Sequence, residues 1–140
     1  MDIDIREAAI EDKESIFKLV EKFSTSFKTE RILFDESIKN IIDDKSASLL
    51  VAETNKKIIG YCLGFVHYTF YANGQVSWLE EIMIEEFFRR KGIGKMLVEQ
   101  FEKWSKSRDS KLVALATRRA SSFYYAVGYE KSAEYFRKVL

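Results

Sequence analysis

A chain of 140 residues, 46% of them hydrophobic and including eleven Phe and seven Tyr, is long enough for one domain with a sizeable core and too short for two ordinary ones, so residues 1–140 are read as a single domain. Its 23 basic and 22 acidic residues leave a net charge of +1, which argues against a dedicated nucleic-acid or membrane-surface binder, since either needs a basic excess. Cys62 and His67 are the only residues of their kinds, so no internal disulfide, cysteine metal site or zinc-type cluster is expected. No apolar run reaches membrane-span length and Met-Asp-Ile-Asp-Ile-Arg-Glu is no signal peptide, which together predict a metal-free cytoplasmic protein.

Ile3, Ile5 and Ala8, with polar residues between them, read as a first strand. The segment from Glu11 to about Phe23 reads as a helix: its first turn is acidic, which suits the helix dipole, and Ile16, Leu19, Val20 and Phe23 make one apolar stripe. Ser24-Thr25-Ser26-Phe27-Lys28-Thr29 interrupts it. A second helix is expected to start near Asp35, a good cap residue, and to bury Ile38, Ile41 and Ile42. Ser48 to Glu53 is a short apolar strand, and Thr54-Asn55-Lys56 is turn chemistry. Ile58 to Tyr71 is a strand rich in aromatic and branched residues, with Gly60 and Gly64 at bulge or close-approach points. Ala72-Asn73-Gly74 reads as a hairpin turn and Val76 to Ile84 as the return strand. A helix then runs to about Lys106, carrying Ile93, Leu97, Phe101 and Trp104 at helical spacing. Leu112 to Ala116 is a buried-type strand, Arg118 to Val127 a short helix, and Tyr129 to Val139 a final strand. The sheet is expected to be mixed: antiparallel early, parallel where the helix after the glycines returns the chain.

Between the return strand and that helix lies Arg89-Arg90-Lys91-Gly92-Ile93-Gly94-Lys95. A strand, a glycine turn and a helix make an anion site, because the unpaired N–H groups of the first helical turn point at the ligand and the helix dipole favours its charge. No hydroxyl follows Gly94, as a P-loop needs, and the third glycine of a dinucleotide fingerprint is replaced by Leu97. Arg89-x-x-Gly92-x-Gly94 resembles the pyrophosphate loop of the GNAT superfamily of N-acetyltransferases. Leu79-Glu80-Glu81-Ile82-Met83-Ile84 looks like the strand that feeds this loop, and Phe123-Tyr124-Tyr125-Ala126-Val127-Gly128-Tyr129 looks like the family's Phe-Tyr-x-x-x-Gly-Phe helix end. The three matches lie in the family's order and cover roughly half the chain. The position of the proline that often precedes the family's glycine loop is Glu86 here, and the chain has no proline at all.

The resemblance implies an α/β (α+β) GNAT fold: a mixed, mostly antiparallel sheet whose fourth and fifth strands splay apart, flanked by helices. It also implies acetyl-coenzyme A as cofactor. The pyrophosphate would be held by Arg89, Arg90, Lys91, Gly92, Ile93, Gly94 and Lys95. The backbone of Ile82, Met83 and Ile84 would bond the pantetheine arm, and Thr117 stands where many relatives carry a cofactor-contacting asparagine. Tyr124 would lie beside the cofactor sulfur and protonate the departing thiolate.

Glu80 is the candidate base. A strand covered on both faces should read almost wholly apolar, so adjacent carboxylates at 80 and 81 call for an explanation. Unless a bulge intervenes, strand parity puts Trp78, Glu80, Ile82 and Ile84 on one face and Leu79, Glu81 and Met83 on the other. Trp-Leu-Glu-Glu-Ile is similar to Tyr-Leu-Glu-Asp in polyamine-type members of the superfamily, whose glutamate acts as base through water. The alternative is that both glutamates are solvated at the strand's rim, with Glu81 the lesser candidate for the base. His67 is read as an ordinary strand histidine, and Cys62 matches no nucleophile position of the family.

The implied activity is transfer of an acetyl group to a primary amine of a small molecule or peptide, by direct attack in a ternary complex. A small amine with an apolar portion is favoured, because charges between Glu21 and Lys45 almost cancel and Phe23, Phe27 and Phe34 punctuate them. A homodimer is left open. The rival expectation is a degenerate GNAT domain that binds an acyl-coenzyme A as a sensor or interaction module.

Overall fold

The computed structural model describes residues 1–23 and 27–140. Five strands form one sheet in the order of the chain: β1 (Asp4–Glu7), β2 (Ala47–Thr54), β3 (Lys57–Thr69), β4 (Gly74–Ile84) and β5 (Val113–Leu115). The first three pairings are antiparallel and the β4–β5 pairing is parallel, as the intervening helix requires. Turn chemistry sets both hairpins. Asn55 and Lys56 take positive φ (48° and 62°) between β2 and β3, and Asn73 does so (59°) before Gly74.

Helices cover both faces. On one side lie α1 (Lys13–Phe23), entered through a 3₁₀ turn at Ile10–Asp12, and α2 (Arg31–Asp43). Ile16, Leu19 and Ile38 pack there on Val51, Ile58, Tyr61, Leu63 and Met83. On the other side α3 (Ile93–Ser107) sets Ile93, Leu97, Val98 and Phe101 against Leu50, Ala52, Ile59, Cys62 and Leu79, and Trp104 stacks on Phe101 at 5.5 Å. The short α4 (Ser121–Ala126) adds Tyr124 to this second core. Both β3 glycines are close-approach points: a Cβ on Gly64 would sit 2.3 Å from the Phe101 ring, and one on Gly60 would sit 2.8 Å from Ile84.

Several expectations are corrected. Helix α2 starts four residues before Asp35, because Phe34 N–H already bonds Glu30 C=O (2.9 Å); Asp35 lies inside the helix and pairs with Arg31 (2.9 Å) and Lys13 (3.6 Å). Phe23, expected in the buried stripe of α1, is exposed at the helix end. The interruption expected after it begins at residues 24–26, which lie outside the described residues.

The final strand expected over Tyr129–Val139 is absent. Tyr129 is anchored, its N–H to Tyr124 C=O (2.9 Å) and its hydroxyl to Glu102 (2.8 Å), but residues 130–140 enter no helix or strand and every one is exposed. A strand exists only where a neighbouring edge takes up its N–H and C=O groups, and no edge among the described residues does so here.

Candidate active site

The glycine turn takes its shape from two residues of positive φ, Arg90 (63°) and Gly92 (82°). Gly92 is the N-cap of α3 and supplies no side-chain cap. Met96 N–H is the one that bonds Gly92 C=O (3.2 Å), so the N–H groups of Ile93, Gly94 and Lys95 precede the helical ladder and have no backbone acceptor among the described residues. The first turn of α3 holds no acid, and a Cβ on Gly92 would meet nothing within 4 Å. An N-terminus with free N–H groups, an open approach and cations alongside has the features that favour an anion. The two glycines differ: Gly92 is needed for its backbone conformation, whereas a Cβ on Gly94 would make only ordinary contact with the Phe123 ring, at 3.4 Å.

The cations divide as well. Arg89 folds back, its Nε donating to Ile84 C=O (3.0 Å), and Lys91 lies over the rings of Phe87 and Phe88 (5.3 and 5.8 Å). Lys95 reaches Glu99 at 3.9 Å, while Arg90 makes no ion pair among the described residues.

On β4 the parity of the strand breaks. Leu79 lies opposite Gly64 and Glu81 opposite Leu63, so Glu80 is an extra residue, a bulge. Leu79 therefore joins the α3 face, whereas Glu81 shares the α1/α2 face with Met83 and with Tyr61 and Leu63 opposite them. The expected grouping of Leu79 with Glu81 and Met83 is thereby corrected. The bulged Glu80 is exposed. The parallel ladder to β5 also stops here: its pairs run from Ser77 to Leu79, so from Glu80 to Ile84 the outer edge of β4 has no strand partner among the described residues. That is the splay expected between the fourth and fifth strands, and it leaves the stretch of β4 from Ile82 to Ile84 without a strand partner on its outer side, where Ile84 C=O accepts from Arg89 instead.

Glu81 lines a cavity of about 530 Å³ between α1, α2 and the sheet, whose walls include Ile16, Leu33, Phe34, Ile38 and Leu63. Its Oε1 accepts a hydrogen bond from the Tyr61 hydroxyl (2.7 Å). Burial pushes the Glu81 carboxyl above the usual range and the charge of Glu80 adds to this, against the opposing pull of the Tyr61 hydrogen bond. Tyr61 in turn is held protonated, first by burial and then by the Glu81 charge. The sequence reading missed Tyr61, which looks like one more aromatic in an apolar strand; the available signal was its hydroxyl in a segment with little polar character.

Tyr124 is buried in the α3-face core beside Cys62 and Leu79, with its ring edge-on to Phe123 (4.9 Å) and Tyr129 (5.8 Å). No hydrogen bond engages its hydroxyl among the described residues. Burial pushes its pKa up to about 12, so it is a proton carrier at neutral pH. Thr117 is exposed, and its hydroxyl oxygen accepts the Ala120 N–H (3.1 Å) in the turn that leads into α4. His67 is exposed on β3. Cys62 is fully buried and burial raises its thiol pKa, which makes it a poor nucleophile.

The start of α3 thus presents free N–H groups, β4 beyond Leu79 has no strand partner on its outer side among the described residues, and Glu81 turns from β4 into the cavity. The comparisons agree with that geometry. An uncharacterized N-acetyltransferase of Chlorobaculum tepidum is 29% identical over 133 residues, which span 94% of this chain and 79% of the relative. A transcriptional regulator from Bacillus halodurans superposes with a TM-score of 0.89 at 23% identity, covering 99% of this chain and all of the other. An aminoglycoside N-acetyltransferase in complex with CoA superposes with a TM-score of 0.85 at 19% identity, covering 98% and 95%. At such identities the two structures speak for the fold alone. The sequence profile of the Acetyltransferase (GNAT) family, however, matches residues 8–129, and the chain belongs to that family.

Proposed function

We propose that residues 1–140 act as an N-acetyltransferase domain that moves an acetyl group from acetyl-coenzyme A to a primary amine carried on a small, partly apolar body. The observation that supports this most is the position of Glu81: a carboxylate with raised pKa at the wall of an apolar cavity, in the stretch of β4 that has no outer strand partner among the described residues. The residues present fit the cofactor. The free N–H groups of Ile93, Gly94 and Lys95, with Arg90 and the open face of Gly92, suit a diphosphate, and the outer edge of β4 at Ile82, Met83 and Ile84, which has no strand partner and on which only Arg89 holds Ile84 C=O, suits an amide-bearing arm. Acetyl-coenzyme A supplies, when bound, an acyl group activated as a thioester.

This chain's residues then have separable tasks. The cavity wall accommodates the apolar body of the amine, and Glu81 attracts its ammonium group. An alkylammonium holds its proton near pH 7, so the proton must be taken before nitrogen can attack. In this reading Glu81 takes it, directly or through a water, and its raised pKa narrows the gap between acid and base. The base thus shifts in this proposal from Glu80, at the exposed bulge, to its neighbour. Tyr124 keeps its hydroxyl protonated and unengaged, as a donor to a leaving thiolate must. Cys62 takes no part, so the amine attacks directly in a ternary complex.

The reading is tested by free-thiol release from acetyl-coenzyme A across a panel of alkyl-, aralkyl- and peptidyl-amines. Tyr124→Phe should lower kcat by on the order of 10²–10⁴-fold and leave coenzyme A affinity, measured by calorimetry, within a few-fold. Coenzyme A binding with no turnover on any amine would favour the rival, an acyl-coenzyme A sensor.

A further inference from the structure

Two polar side chains meet across strands at the wall of the apolar cavity. Leu63 lies opposite Glu81 and Tyr61 opposite Met83, so Tyr61 and Glu81 are diagonal neighbours on adjacent strands, within reach of a long aromatic side chain. Tyr61 is 1% exposed and packs in one core with Ile16, Leu19 and Ile38, which leaves its hydroxyl little freedom of place. That hydroxyl donates to Glu81 Oε1 at 2.7 Å, whereas Oε2 accepts no hydrogen bond among the described residues. Nor is Oε2 sealed off, because Ser105 Oγ is the one buried side-chain polar atom there without a partner.

A buried tyrosine hydroxyl needs an acceptor, and a purely structural pair would meet that need. A neutral acceptor such as Gln would do so at less cost, since a carboxylate in an apolar wall carries a desolvation penalty. No cation among the described residues forms an ion pair with Glu81 to offset it. A charge kept at the cavity wall, with one oxygen held and the other free, fits a group that works on what enters the cavity.

We propose that Tyr61 is a positioning residue for the reaction: its hydroxyl occupies Glu81 Oε1, holds the carboxylate at the cavity wall, and leaves Oε2 as the oxygen that takes the ammonium proton. The inference rests on Glu81 being the base. Tyr61 keeps its own proton throughout; the proton moves from nitrogen to Oε2, and the bond to Oε1 persists, weaker once the carboxyl is neutral. That bond favours the charged carboxylate, and so limits how far burial raises its proton affinity. Without it, Glu81 would hold a proton over more of the pH range and be unavailable to the amine. Few other charges face Glu81. Glu80 is next to it on β4, and Lys28 and Glu30 are exposed residues of the cavity lining ahead of α2, while α1, α2 and β2 line the cavity with uncharged side chains such as Ile16, Ile38 and Leu49. Cys62, beside Tyr61 in the chain, belongs to the α3-face core.

The test is the pH profile of kcat/KM for Tyr61→Phe, read beside the titration of Glu81 itself by NMR of the side-chain carboxyls without substrate, with Glu81→Gln identifying the resonance. The substitution keeps the buried ring, so the fold, read by circular dichroism, should survive. A hydrogen bond to a charged group is worth roughly one to two pH units, so the NMR midpoint and the acidic limb should both move up by about that much. Activity should fall most below the new limb and recover above it. In the Glu81→Gln background, Tyr61→Phe should change the residual rate by no more than a few-fold, because no titrating carboxylate is left to hold. Leu63→Met alters the packing opposite Glu81 but spares the hydroxyl, and should leave the midpoint and the limb in place. A Glu81 midpoint unmoved by Tyr61→Phe, or moved as far by Leu63→Met, overturns the proposal directly. A moved midpoint with an unmoved limb overturns it by taking the base away from Glu81, and so marks a failure of the catalytic reading rather than of the hydrogen bond.

Discussion

The α3 face and the α1/α2 face of the sheet share β3 and β4 but are filled differently. On the α3 face, Leu97, Val98, Phe101 and Ile93 are sealed against the strands, and Gly64 is present because the Phe101 ring occupies the space of a side chain. On the α1/α2 face, α2 stands off far enough to leave a cavity, Leu33 remains 56% exposed at its wall, and a carboxylate points inward. One face is therefore a scaffold that holds the start of α3 rigid, and the other is a container. The bulge at Glu80 lets one strand serve both, by moving Glu81 to the container side while Leu79 stays in the scaffold.

The sharpest way to break this comparison is to neutralise the carboxylate inside the container. Glu81→Gln keeps size and can still accept from Tyr61, yet cannot take a proton; kcat/KM should fall by on the order of 10²–10⁴-fold, while Glu80→Gln should do much less. The base works deprotonated, so a raised pKa moves the acidic limb of the wild-type profile above the ordinary glutamate value of about 4.3, and Glu81→Gln should abolish that limb. The same shift has a stability consequence. A carboxyl whose folded pKa is raised stabilises the fold below its unfolded pKa and loses that contribution as pH rises through the folded one. Thermal melts should therefore show Glu81→Gln gaining on the wild type as pH rises through that window. If Glu80→Gln loses the limb and Glu81→Gln keeps it, the base is the exposed residue and the container holds only the substrate's body.

Next in size are changes to the scaffold. Leu97→Ala empties a fully buried position and should cost about 2–5 kcal/mol in denaturant unfolding. Gly64→Ala drives a methyl group into the Phe101 ring and should cost about 1–3 kcal/mol. Both should weaken coenzyme A binding only as far as α3 shifts. The smallest stability effect is expected at the container wall: Leu33→Ala should change stability by within about 0.5 kcal/mol. It should raise KM for apolar amines a few-fold with little change in kcat, which amine kinetics would show. A Leu33→Ala chain as unstable as Leu97→Ala would mean that the two faces are packed alike.

Much of the fold was legible because periodicity and turn residues are local. Asn55-Lys56 and Asn73-Gly74 place the hairpins, the stripe Ile93, Leu97 and Phe101 faces one core, and the two glycines with their cations mark the start of α3. What tertiary structure decided was relational. The period-two pattern of β4 carries no mark of where an extra residue enters, so the side to which Glu81 turns depends on its pairing with Leu63 and on the space left to Phe101 by Gly64. Tyr61 became a site residue only when Glu81 was brought opposite its neighbourhood. Strand-forming residues over 129–139 do not make a strand without an edge to bond, and Asp35 does not cap a helix already begun by the Glu30 carbonyl. Composition and spacing determine which segments want to be helix, strand or turn; which edge, face and charge each one meets is settled only when hydrogen-bond partners distant in sequence are brought together.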